Sequence, residues 1–120
     1  MNRLKVLYVE DDPHVRESLL RLLRRRFDNV IEACDGREGL ELYREHNPDF
    51  VITDIQMPEM DGLTMCEQII KEKPDAKVII TTAFNDISFI NRAEAIGVKA
   101  YISKPVMKDT LIEAIRSVVD

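Results

Sequence analysis

Glu10, Asp11 and Asp12 stand in a row, Asp54 is a single acid, Thr82 follows Thr81, and Lys104 precedes Pro105; each group sits where a short apolar run ends. Carboxylates brought into one pocket repel, and their proton affinity rises unless a cation intervenes. All-oxygen ligation by carboxylates and a backbone carbonyl suits a hard divalent ion. A site with few protein ligands, leaving room for water and phosphate, suits Mg²⁺ better than Ca²⁺. Lys104 adds fixed positive charge opposite the acids. A carboxylate flanked by Mg²⁺, a lysine and a hydroxyl is equipped to attack a phosphoryl group, because charge on the transferring oxygens is what must be stabilised. Asp54 is the nucleophile this set points to, and the product would be an acyl phosphate. Two added negative charges would then draw Thr82 and Lys104 toward the new oxygens and rearrange the loops that hold them.

These residues need a scaffold that brings distant segments to one rim. Apolar runs at Leu4 to Val9, Asn29 to Cys34, Phe50 to Thr53, Lys77 to Thr82 and Ala100 to Ser103 read as strands, and the stretches between them carry helical spacing. The first helix is expected to turn Val15, Leu19, Leu22, Leu23 and Phe27 inward, with Arg21, Arg24 and Arg25 toward solvent. Asp12 can cap it and Pro13 suits its first turn. The second helix opens at Asp35-Gly36-Arg37-Glu38 with capping-box-like spacing, buries Leu40 and Tyr43, and stops before Asn47-Pro48. The third begins near Asp61-Gly62, packs Leu63, Cys66 and Ile70, and ends before Pro74. The fourth runs from roughly Asp86 to Ile96 and closes at Gly97, and the fifth starts near Met107 and carries Leu111, Ile115 and Val118. Strict alternation of strand and helix implies parallel strands, right-handed crossovers and helices on both faces of one sheet, the doubly wound α/β class. In such sheets the functional crevice lies beyond the carboxyl ends of the strands, where the acids, Thr82 and Lys104 fall.

Composition narrows the function. The 120 residues suffice for one compact domain and leave no room for a second, so residues 1–120 are expected to be a single domain. Seventeen Lys and Arg against twenty-two Asp and Glu give a net charge of −5, a field that repels nucleic acid and anionic lipid. Cys34 and Cys66 form no CxxC pair, which argues against zinc or a disulfide framework, and both are expected to be small buried hydrophobes. The N-terminus lacks a signal-peptide apolar segment, and no apolar run approaches the ~20 residues of a membrane span. A cytoplasmic setting follows as the expectation.

Val9-Glu10-Asp11-Asp12, Asp54-Ile55-Gln56-Met57-Pro58 with Asp61-Gly62, Thr81-Thr82-Ala83, and Ala100-Tyr101-Ile102-Ser103-Lys104-Pro105 together resemble the motifs of response-regulator receiver domains, across essentially the whole chain. The resemblance implies a flavodoxin-like (βα)5 sandwich of strand order 2-1-3-4-5. It implies that Glu10 and Asp11 form the acidic metal pair, that Asp54 accepts phosphate and also touches Mg²⁺, and that Gln56 lends its backbone carbonyl to the ion. Thr82 and Lys104 would sense the phosphate, Tyr101 would be the aromatic switch, and the Lys104-Pro105 peptide would be cis. By the same resemblance, the donor is a phosphohistidine on a sensor kinase or phosphotransfer protein. Output to a downstream effector domain or protein leaves through the fourth helix, fifth strand and fifth helix, with phosphorylation-dependent dimerisation among the expected partnerships. Such a chain is a regulator, not an enzyme, apart from Mg²⁺-dependent self-phosphorylation and slow self-dephosphorylation. Gln56 and Phe84 occupy positions that tune hydrolysis in this family, and a bulky Phe84 is expected to shield the acyl phosphate.

Blander roles compete at several positions. Asp12 reads first as a helix cap, Thr82 has Thr81 beside it as a second hydroxyl, and Lys104 could snorkel at the surface. His14 and His46 have no metal-ligand neighbour, and the arginines from Arg21 to Arg26 suit the last turns of a helix. Ile87, Phe89, Ile90 and Ala93 exceed one buried stripe, so some are candidates to face a partner or a dimer mate, with core packing the competing reading. Three rival functions carry distinct signatures. A haloacid-dehalogenase-type phosphatase needs an acid two residues after its nucleophile, where this chain has Gln56. A flavodoxin-type flavin site needs a phosphate-cradling first loop, which Glu10-Asp11-Asp12 would repel. A receiver-like pseudo-switch would lack the acceptor, the acid pair or the lysine, and all are present.

Overall fold

The computed structural model describes residues 3–83 and 87–119. The expectations attached to Phe84, to Asp86 and to the side chain of Ile87 lie outside those residues. Strands and helices alternate as β1 (Lys5–Val9), α1 (Pro13–Arg24), β2 (Asn29–Ala33), α2 (Gly36–His46), β3 (Phe50–Asp54), α3 (Gly62–Glu72), β4 (Val78–Thr82), α4 (Ile87–Ile96), β5 (Ala100–Ser103) and α5 (Lys108–Val119). All neighbouring strands are parallel and their order is β2-β1-β3-β4-β5, the doubly wound sheet expected from the alternation and the motifs.

Strand side chains alternate between two cores, which explains why the central strands read as unbroken apolar runs. Leu7, Val9, Val51, Val78 and Ile80 meet Leu40, Leu63 and Ile69 on the α2 and α3 face, and Ala93 of α4 joins them. Val6, Tyr8, Phe50, Ile52 and Ile79 meet Leu19, Leu23, Leu111 and Ile115 on the α1 and α5 face. Phe27 and Phe50 stack edge to face there, with ring centroids 5.5 Å apart. Register carries the same logic across the sheet: Val6 pairs with Phe50, Ile52 with Ile79, and Ile80 with Tyr101.

The helix boundaries follow local chemistry. Asp12, Asp35 and Asp61 each sit in extended backbone just before a helix and accept from its first free N–H groups, at Val15, Glu38 and Thr64 among others. Asn47 closes α2 at φ +50, and Gly97 follows α4 at φ +106 with its N–H on the Ala93 carbonyl. No helix among the described residues is long and apolar enough to cross a membrane.

Two expectations about burial need correction. Val15 is 36% exposed and Leu20, not placed on the inward stripe, is 1% exposed. Val15, in the first turn of α1, borders an open crevice beside Pro105 and Val106 instead of the core. Cys34 is exposed while Cys66 is buried. Cys34 lies just past β2, an edge strand with a neighbour on one side only. Ile70 and Val118 are half-buried at the margins of their clusters, where Met65 and Ile69 fill the core on α3.

Candidate functional site

The rim begins with β1. Its last side chains are fully buried on alternate faces, so the chain leaves the core at Glu10 with its direction already fixed, and Glu10 itself is 1% exposed. Asp11 follows, half-buried, and Asp12 turns away to cap α1 by accepting from the N–H groups of His14 at 2.9 Å and Val15 at 3.2 Å. The capping role read for Asp12 is therefore the one observed.

Asp54 arrives from β3. Its Oδ1 accepts from the Ile55 N–H at 2.7 Å, which fixes the carboxyl plane. The turn behind it is tight: the Gly62 N–H donates to the Ile55 carbonyl at 2.6 Å, and a Cβ on Gly62 would come within 1.8 Å of the Asp54 carbonyl. Only glycine permits that approach. Gly36 plays the matching part on α2, where its N–H donates to the Met60 carbonyl at 3.1 Å and a Cβ would lie 2.1 Å from the same oxygen. The loop between Asp54 and Asp61 is thus held at both ends, and exposed Gln56 lies in it.

Lys104 reaches the acids from the end of β5. Its Nζ lies 2.9 Å from Asp54 Oδ2 and 3.0 Å from Glu10 Oε1, and its side chain is 20% exposed, so it does not snorkel. Its own N–H donates to the Thr82 carbonyl at 2.7 Å, and the Lys104-Pro105 peptide is cis. Carboxylate oxygens of Glu10, Asp11 and Asp54 lie within 4.8 Å of one another. Burial pushes the Glu10 carboxyl above its usual value, the Lys104 hydrogen bond opposes this, and the Asp54 charge adds to it. Burial works to lower the Lys104 pKa, but the hydrogen bonds to Asp54 and Glu10 outweigh it and hold the ammonium above the ordinary lysine value. The same acids, with burial as the larger cause, push the neighbouring Tyr8 phenol far up. The cluster therefore holds one cation already and has a deficit of positive charge.

The two threonines of β4 part company by alternation. Thr81 is buried on the Tyr8 side, with its Oγ1 donating to the Thr53 carbonyl at 3.5 Å. Thr82 is buried on the opposite face and shares a small crevice with Phe89, Ile90, Ala93 and Tyr101. Tyr101 is 44% exposed, and its hydroxyl donates to Glu94 Oε1 at 3.0 Å. Phe89 and Ile90 are half-buried and Ala93 is buried, so the apolar surplus on α4 goes largely into this crevice. Arg16, which no motif singles out, is also at the rim: its Nη1 donates to the Glu10 carbonyl at 2.8 Å. Its only signal in the sequence is a charged residue one turn beyond the acid row.

The model of the response regulator receiver domain family matches residues 6–116. The chain is 37% identical over 112 residues to the chemotaxis protein CheY of Bacillus subtilis, covering 92% of this chain and 93% of that one. It is 30% identical over 119 residues to the transcriptional regulatory protein DegU of Brevibacillus brevis, covering 98% of this chain and 50% of DegU, so it spans about half the length of that relative. Among solved structures, a chain of the CheX-CheY-BeF3-Mg+2 complex from Borrelia burgdorferi superposes with a TM-score of 0.90 at 29% identity, covering 98% of this chain and 90% of that one. With five parallel strands in the order 2-1-3-4-5, acids at the ends of β1 and β3 and a lysine after β5, this chain belongs to the response regulator receiver domain family.

Proposed function

We propose that Asp54 is the phosphoacceptor of a two-component switch, and that residues 1–120 work as one receiver unit. The observation that carries this reading is the position of Lys104 Nζ, 2.9 Å from Asp54 Oδ2 and 3.0 Å from Glu10 Oε1, in a cluster short of positive charge. An Asp54 oxygen attacks the phosphorus of a phosphohistidine on a sensor kinase or phosphotransfer protein. The new O–P bond forms as the P–N bond breaks, and the histidine nitrogen leaves with the electron pair. Asp54 gives up its carboxylate charge in the mixed anhydride that forms, so Lys104 transfers its pairing to the phosphoryl oxygens.

The donor set fits Mg²⁺: three carboxylates with oxygens within 4.8 Å, no nitrogen or sulfur donor among them, and Asp11 and Asp54 only half-buried. Glu10, Asp11, Asp54 and the Gln56 carbonyl would hold the ion. When bound, Mg²⁺ supplies the charge that offsets the transferring oxygens. The similar chain from Borrelia burgdorferi belongs to a complex with Mg+2 and BeF3, which supports the same assignment here.

Switching runs through Thr82 and Tyr101, which line one crevice under α4. A phosphoryl group on Asp54 draws the Thr82 hydroxyl toward it, and Tyr101 turns into the space vacated. The surface of α4, β5 and α5 then presents a changed face to an effector domain or protein, or to a second copy. Direct nucleic-acid or membrane binding by this unit has no part in the reading, and its setting is the cytoplasm, where such kinases deliver phosphate. Activity on substrates of its own has no part either, beyond self-phosphorylation and slow self-dephosphorylation, which Phe84 is expected to retard. The linkage itself provides the test. Label from acetyl phosphate with Mg²⁺ should be released by neutral hydroxylamine, as an acyl phosphate is; hydroxylamine-stable label would overturn the assignment to Asp54.

A further inference from the structure

Arg16 is a charged side chain only 20% exposed, and it is engaged in two directions. Its Nη1 donates to the backbone carbonyl of Glu10 at 2.8 Å, and its Nε lies 3.5 Å from Glu32 Oε1 at the end of β2. Glu32 is fastened from the same helix by Arg24, whose Nη2 donates to Oε2 at 2.9 Å. A planar, forked guanidinium can hold a carbonyl and a carboxylate at once, which a lysine's point charge cannot reproduce.

Glu10 is thereby bonded at every polar group. Its N–H donates to the Ala33 carbonyl at 3.0 Å and its carbonyl accepts from Arg16. Its Oε1 accepts from Lys104 and its Oε2 from the Asp12 N–H at 3.2 Å. The Glu10 carbonyl and the Asp11 nitrogen share one rigid peptide plane. A grip on that carbonyl therefore sets the plane from which the Asp11 side chain departs.

We infer that Arg16 is a positioning residue for divalent-cation binding, aiming Glu10 and Asp11 at the ion through its hold on the Glu10 carbonyl. The inference rests on the Mg²⁺ reading above. It has a sign that separates it from a simple charge effect. A cation beside the cluster opposes a second cation, so deleting the Arg16 charge should tighten Mg²⁺ binding if charge were its whole contribution. Loss of positioning acts the other way.

The test is calorimetric titration of MgCl2 into the full 120-residue chain without any phosphodonor, for the parent, Arg16→Gln, Arg16→Lys and Glu32→Gln. Urea unfolding in EDTA checks that each variant is folded. Arg16→Gln should weaken Mg²⁺ binding on the order of tenfold, as loss of a group orienting a ligand typically does. Arg16→Lys, which keeps the charge, should weaken it to a similar degree, and Glu32→Gln should act in the same direction by less. Unchanged or tighter binding in both Arg16 variants overturns the inference and leaves the Asp54 assignment standing. A parent chain that binds no Mg²⁺ removes both. If the Arg16 variants do not fold, Glu32→Gln decides, and unchanged affinity there overturns the inference.

Discussion

The Tyr101 hydroxyl on β5 donates to Glu94 Oε1 on α4 at 3.0 Å, which ties the tip of the ring to the helix that also lines the Thr82 crevice. Losing the Tyr101 proton would set a phenolate against that carboxylate, so the hydrogen bond holds the Tyr101 pKa above its ordinary value of 10.0. In Glu94→Gln the hydroxyl should titrate nearer to 10.0, followed by ¹³C NMR of the tyrosine ring. An unchanged titration would mean that the bond is not kept in solution and that Glu94 does not restrain the ring.

Lys104 and Asp54 should respond in opposite senses to neutralisation in the metal-free chain. Lys104→Ala strips the paired cation from a carboxyl that is 1% exposed, and should cost about 1–3 kcal/mol in urea unfolding at neutral pH. Asp54→Asn removes one of three crowded charges and should leave the fold intact, with stability equal to or above the parent. An Asn variant that unfolds well before the parent would contradict this electrostatic description of the pocket.

Much of this architecture is legible from residue types alone. Asp12, Asp35 and Asp61 announce three helix starts because a cap is a local event, decided within three residues. The five strands are legible because each centres on apolar residues and is bounded by polar ones. What local pattern cannot supply is the depth at which a helix sits on the sheet. Leu20 is buried and Val15 exposed according to what packs against each turn of α1, a long-range relation absent from the helical period. Arg16 and Glu94 escape notice for the same reason: their partners are Glu32 on a strand and Tyr101 in a later element, and only the fold brings them together. The candidate site is readable because its residues fall at strand ends. That Glu10 and Asp54 share one ammonium emerges only in three dimensions.

Backbone strain sits beside the site. Glu59 has φ +67 in the loop that follows Asp54, a conformation that costs a non-glycine residue about 1 kcal/mol. Glu59→Gly should stabilise the chain by up to about 1 kcal/mol in urea unfolding, reduced by the freedom glycine gains in the unfolded state. A marked loss of stability would show that the Glu59 side chain outweighs the strain.

The α2–α3 contact carries a pH dependence. Arg44 Nε donates to Glu72 Oε1 at 3.0 Å, and that bond, with Gln68 assisting, lowers the Glu72 pKa from 4.5 to about 2. A carboxyl depressed in the folded state contributes stability that is present above its unfolded value and is lost as pH falls toward its folded one. The contribution of Glu72 should therefore fade between pH 4.5 and about 2, and Glu72→Gln should flatten stability against pH in that window. Solvent screening keeps the effect small, so the slope is the quantity to compare. Identical slopes for parent and variant would remove Glu72 as a contributor.

The central claim, Asp54 as a Mg²⁺-dependent phosphoacceptor, is tested most directly by intact mass after incubation with acetyl phosphate, with and without Mg²⁺, for the parent and Asp54→Asn. One phosphoryl adduct that needs Mg²⁺ and disappears in the Asn variant is the predicted result. No adduct under any condition, or an adduct that persists in Asp54→Asn, would contradict it.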